Sequence, residues 1–90
     1  MTRILVVDDE AKIVSFVSRA LSAHGFVVDT AYDGARAVEL AGTGAYDLVV
    51  LDLMLPRMDG FSVLRDTLKA RPEQRVLAFG ALRRRVQGQM

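Results

Sequence analysis

Two short apolar runs, each ending in carboxylates, constrain this chain more than anything else in it. Leu48-Val49-Val50-Leu51 is rich in β-branched residues and stops at Asp52; Ile4-Leu5-Val6-Val7 stops at Asp8-Asp9-Glu10. An unbroken apolar run of that length reads as a strand buried on both faces, the habit of parallel sheets covered by helices. An acid at the carboxyl end of such a strand stands where open α/β sheets place their ligand chemistry. After Asp52, Pro56 and the Asp59-Gly60 pair mark a turn and the start of a helix. If the two strands are parallel neighbours, Asp8, Asp9 and Asp52 converge on one point. Three carboxylates so close raise one another's pKa unless a cation sits among them. Mg²⁺ is the natural cation: it is hard, prefers oxygen, and takes one or two carboxylates with water and phosphate. A simpler role stays open to the same residues, with Asp52 capping the following turn and Asp8 and Asp9 capping a helix before Ile13.

The rest of the chain supplies layers for these strands. From Ala11 to His24, Ile13, Val14, Val17, Ala20 and Leu21 recur at helical spacing, and Gly25 stands at the C′ position. His24 is expected at the surface near the negative end of the helix dipole, without a catalytic role. Phe26 to Ala31 reads as a second strand. Asp33 can cap a short helix, Ala35 to Ala41, whose small face packs close to a sheet; Gly42 and Gly44 break it. Phe61, Leu64 and Leu68 give a third helix ending ahead of Pro72, and Arg75 to Phe79 a fourth strand followed by Gly80-Ala81. Strands alternating with helices imply a parallel sheet with right-handed crossovers. There are no internal repeats. Leu82 and Val86 could begin a further helix, with only two apolar anchors.

Ninety residues, 51% apolar and 26% charged, allow one domain with a modest core. The absence of cysteine excludes a disulfide framework and a thiolate metal site, and suits a reducing compartment. No apolar run approaches the ~18 residues of a membrane span, and the first residues show no signal-peptide pattern, so a cytoplasmic protein is expected. The net charge of +1 hides a split: residues 1–70 hold 7 basic and 10 acidic side chains, residues 71–90 hold 5 and 1. Arg83-Arg84-Arg85 reads as a solvated turn or an altered tail rather than a DNA-binding patch, because no helix-turn-helix follows.

With these residues in place, the chain resembles a bacterial response-regulator receiver domain from about Arg3 to Ala81. The resemblance rests on Asp8-Asp9, on Asp52 at a strand end, and on Leu53-Met54-Leu55-Pro56-Arg57-Met58-Asp59-Gly60 at fixed spacing after it. It implies an α/β, flavodoxin-like doubly wound parallel sheet of order 2-1-3-4, with the family's fifth strand and last helix missing. Residues 1–81 would form an incomplete, C-terminally truncated receiver, and 82–90 an atypical basic tail. Asp52 matches the phosphoacceptor, the nucleophile that takes a phosphoryl group from a sensor histidine kinase. Asp9 matches the direct Mg²⁺ ligand, Asp8 the acid that reaches the metal mainly through water, and Met54 contributes its backbone carbonyl. Pro56 and Gly60 match the positions that shape the loop. In-line displacement at phosphorus needs a positioned anionic oxygen and a neutralising cation, which agrees with the acid cluster.

Two departures from the resemblance bear on function. The switch position, where the family carries Ser or Thr, is Gly80, which has no hydroxyl. The family's Lys at the end of a fifth strand has no counterpart, since the lysines are Lys12 and Lys69. One charge-assisted contact to the phosphoryl group is then lost, and weaker acceptance with an impaired switch is expected. The leading expectation is a phosphorelay signalling module and not an enzyme. The alternative is a non-signalling interaction remnant that forms a homodimer through an exposed sheet edge. An aspartyl phosphohydrolase would want a second acid where Met54 stands, and the Asp-Asp-Glu turn has the wrong charge for a dinucleotide. The implied partners are a sensor histidine kinase, DNA only through an output domain absent here, and no membrane.

Overall fold

The computed structural model describes residues 1–55 and 58–80, with backbone alone at Leu55 and Met58. The expectations for Pro56 and for Ala81 to Met90 lie outside the described residues. In chain order the elements are β1 (Arg3–Val7), α1 (Ala11–Ala23), β2 (Val27–Ala31), α2 (Gly34–Gly42), β3 (Leu48–Asp52), β4 (Met54–Leu55), β5 (Met58–Asp59), α3 (Gly60–Ala70) and β6 (Val76–Phe79).

The two apolar runs become the central strands. β1 and β3 pair in parallel, with Ile4 beside Leu48 and Val7 beside Leu51. β2 pairs with the other edge of β1, from Arg3–Val27 to Val7–Ala31, and β6 pairs with β3, ending on Asp52–Phe79. The sheet order is β2-β1-β3-β6, parallel throughout. This is the doubly wound arrangement expected, with order 2-1-3-4 among its four main strands. The short antiparallel pair β4–β5, Met54 opposite Asp59, was not foreseen. Elements of two residues are too short to show a period, and Pro56 with Asp59-Gly60 reads as a turn.

Helices lie on both faces because side chains of a strand alternate. On one face Ile4 and Val6 pack with Val14 of α1, flanked by half-buried Val17, Leu21, Val28, Leu48 and Val50. On the other, Leu5, Val7, Val49 and Leu51 pack with Ala37 and Ala41 of α2 and Val63 of α3. The small residues of α2 let that helix sit close. Leu77 of β6 remains 56% exposed.

Local signals set the helix ends. Gly25 has φ +87° beyond the His24 cap of α1, a left-handed turn that favours glycine. The Asp33 carboxylate accepts from the Arg36 N–H at 2.8 Å and so caps α2. Asp59 caps α3, accepting from the Ser62 N–H at 3.2 Å and from its hydroxyl at 2.6 Å. The start of β2 moves from Phe26 to Val27 because the Phe26 N–H turns back to the Leu21 carbonyl. A polar tie that the sequence reading missed joins three segments: Tyr46 donates its hydroxyl to Asp29 at 2.7 Å, and Arg3 reaches the same oxygen at 2.9 Å. Tyr46 and Arg3 both hold the Asp29 carboxyl below the usual carboxylate range, the tyrosine hydrogen bond most of all.

Candidate functional site

In this sheet the chain passes from β1 to β2 on one side and then crosses over to β3 on the other side of β1. The carboxyl ends of β1 and β3 therefore form the switch-point crevice where open α/β sheets bind ligands. One residue beyond the last registered pair, Val7–Leu51, stand Asp8 and Asp52 on neighbouring strands. Both are almost completely buried, Asp8 at 1% exposure and Asp52 at 0%.

Each acid is fixed by the main chain. Asp8 is held through its own N–H, which donates to the Ala31 carbonyl at 3.2 Å, while its Oδ1 accepts from the Glu10 N–H at 2.9 Å. That second bond turns the chain into α1, so the helix cap falls on Glu10, which makes no side-chain capping bond. Capping by Asp8 and Asp9 in the usual position is thereby corrected. Asp52 Oδ1 accepts from the Met54 N–H at 2.9 Å, and the Leu53 N–H donates to the Phe79 carbonyl at 2.7 Å. These bonds fix the carboxylate at the strand end as the chain leaves β3.

Asp9 is half-buried, less enclosed than Asp8. Among the described residues no three acidic or histidine side chains come together closely enough to hold a metal ion. The structure brings Asp8 and Asp52 to adjacent strand ends, with Asp9 next to Asp8 in the chain.

Two glycines border the site. Gly60, the first residue of α3, is buried, and a Cβ there would fall 2.4 Å from Leu53 Cα and 2.7 Å from the Asp52 carbonyl oxygen. The helix therefore starts main chain against main chain on the segment that follows Asp52. Gly80 follows β6, so Asp52 stands between Asp8 on the β1 side and Gly80 on the β6 side. Met54, half-buried, opens β4 directly after the turn at Asp52. A separate hollow lined by Tyr46, Asp47, Arg71, Gln74 and Arg75 lies at the amino-terminal end of β3, opposite the acids, and takes no part in the site.

A parallel sheet wound both ways from β1, with helices on each face and buried acids at its switch point, defines a flavodoxin-like domain with an acidic carboxyl edge. The chain belongs to the response regulator receiver domain family, whose family model matches residues 4–87. It is 45% identical over 89 residues to the transcriptional regulatory protein TcrA of Mycobacterium tuberculosis, covering 96% of this chain and 35% of TcrA. The chain therefore spans about a third of the length of that curated relative. Among solved structures it is similar to the response regulator TrrA of Thermotoga maritima in complex with Mg²⁺ and BeF. There the TM-score is 0.81 with 34% identity, over 94% of this chain and 76% of that one. TrrA in complex with the histidine kinase ThkA gives a TM-score of 0.81 and 36% identity, over 90% and 70%. Receiver domains are signalling modules of two-component systems. Among the described residues no helix is long and apolar enough to cross a membrane.

Proposed function

We propose that this domain accepts a phosphoryl group on Asp52 from a sensor histidine kinase, with Mg²⁺ bound beside it. The observation that carries the reading is the burial of Asp52 and Asp8 at adjacent ends of β3 and β1, on the switch point of a receiver fold. A carboxylate oxygen of Asp52 attacks the phosphorus, the new O–P bond forms as the N–P bond of the donor phosphohistidine breaks, and the imidazole nitrogen leaves with the electron pair. The Met54 N–H on Asp52 Oδ1 orients the carboxylate for that attack.

The donor set fits Mg²⁺ in kind. Asp8 and Asp52 supply hard anionic oxygens, with Asp9 next in the chain and the Met54 carbonyl as a neutral oxygen, and water completes such a set. When bound, the ion neutralises charge on the transferring phosphoryl oxygens. The complex of TrrA with Mg²⁺ and BeF supports the metal, and that of TrrA with ThkA supports the kinase as partner. We assign acceptance to residues 1–81, in the cytoplasm, and expect it to be slowed, because Gly80 offers no hydroxyl to the new group. Lys12 lies in α1 and Lys69 in the last turn of α3, and neither follows a strand end. Pairing of two copies through a sheet edge finds no observation in its favour.

The test is intact mass after incubation with Mg²⁺ and acetyl phosphate. One added phosphoryl group on the parent and none on Asp52→Asn supports the reading. No addition on a protein whose far-ultraviolet spectrum shows it folded refutes it.

A further inference from the structure

Gly80 is more than a missing hydroxyl. Its φ is +142°, a backbone conformation that residues with a side chain rarely adopt. A Cβ built there would lie 2.7 Å from Met54 Cγ, 2.9 Å from Asp52 Oδ1 and 2.9 Å from the Met54 nitrogen. The last two atoms are the two ends of the Met54 N–H to Asp52 Oδ1 hydrogen bond, itself 2.9 Å long. A side chain at this position would therefore press on the bond that seats the carboxylate. The register makes the approach rigid: Phe79 pairs with Asp52, and its carbonyl takes the Leu53 N–H at 2.7 Å, so residue 80 cannot back away without breaking β6 from β3.

We propose that Gly80 is a positioning residue for Asp52, its bare backbone forming the wall against which the Asp52 carboxylate and the Met54 N–H are held together. The inference rests on the reading of Asp52 as phosphoacceptor for its consequence, and on the geometry alone for the contact. It follows that a hydroxyl cannot be restored by substitution. Gly80→Thr brings its Cβ into the carboxylate before its oxygen can reach a phosphoryl group, and the substitution impairs acceptance where a simple loss-of-hydroxyl account would have it improve.

The experiment uses the full chain with Gly80→Ala and Gly80→Thr, and two measurements. The first is amide hydrogen exchange by NMR at Met54, with Leu5 and Val6 of β1 as references. Exchange at Met54 is expected to rise about tenfold in both variants, the factor one hydrogen bond is worth, with the references unchanged. The second is the rate of phosphoryl gain from acetyl phosphate with Mg²⁺, followed by intact mass, expected to fall by about a hundredfold for a misplaced reacting group. Met54 protection equal to the parent's, an equal rise at Leu5 and Val6, or a Gly80→Thr variant that accepts as fast as the parent would each overturn the proposal. If the parent itself gains no phosphoryl group, the acceptor reading fails by itself, and exchange at Met54 still decides the role of Gly80.

Discussion

The same substitution, glycine to alanine, should have opposite signs at the start of α3 and at the end of α2. At Gly60 the added methyl would meet Leu53 Cα at 2.4 Å, the Asp52 carbonyl oxygen at 2.7 Å and the Leu53 carbonyl oxygen at 2.8 Å. All three are backbone atoms, so no rotamer change relieves the contact and the helix must move off the strand end. Overpacking of this kind costs about 1–3 kcal/mol. Alanine returns up to about 1 kcal/mol of helix propensity, and less than that at a first helical residue. The net expectation for Gly60→Ala is a loss of about 1–2 kcal/mol, or about 4–16 °C in Tm for a domain of this size. At Gly42 nothing lies within 4 Å of the added methyl, so Gly42→Ala is expected to be neutral or to gain up to about 1 kcal/mol. Urea unfolding followed by far-ultraviolet circular dichroism reads both changes as shifts of midpoint at constant slope. A Gly60→Ala protein as stable as the parent would refute the main-chain contact at Gly60. Equal gains at the two sites would show that backbone entropy, not space, governs both.

Further outcomes follow from the same geometry. Tyr46→Phe removes the largest of the bonds that hold the Asp29 carboxyl low, and thermal unfolding at pH 7 should register a loss of about 1–2 kcal/mol. Because the folded pKa of Asp29 lies below the unfolded one, its contribution is fully present above about pH 4 and is lost as pH falls through the folded value. The gap between parent and Tyr46→Phe should therefore narrow below about pH 4 in a Tm series; a gap that widens there would contradict the assignment. Asp33→Ala deletes the cap bond to Arg36 N–H and should cost about 1 kcal/mol by urea midpoint. Leu51→Ala, at 1% exposure, should lose about 2–5 kcal/mol, whereas Leu77→Ala, at 56% exposure, should stay within about 0.5 kcal/mol.

Much of this architecture was legible because the deciding signals are local. The runs Ile4–Val7 and Leu48–Leu51 need both faces covered, and their terminal acids then mark the carboxyl edge of the sheet. Asp33 and Asp59 announced their helices through cap chemistry that acts over three residues. What escaped depends on distance along the chain. The tie among Arg3, Asp29 and Tyr46 spans gaps of 26 and 17 residues, and no motif encodes it. The cap of α1 fell on Glu10 because the Asp8 side chain takes the Glu10 N–H, a choice between adjacent acids that composition cannot make. The positive φ at Gly80 arises just beyond the end of β6, and a sequence shows there only that a side chain is lacking.

The two helical layers are unequal, and the site straddles them. Among the described residues the α2 and α3 side of the sheet holds nine buried residues in its core, the α1 side three. Local opening follows the thinner layer, so α1 should release its amides to solvent before α2 and α3 do. Asp8 belongs to that less stable unit, since its carboxylate is bound to the turn that enters α1. Asp52 belongs to the other, tied through Leu53 to Phe79 and through Met54 to the strand end. The two acids are thus carried by segments that come apart at different free energies. Any cation held between them acts as a clasp across the seam, raising protection in α1 more than in α3.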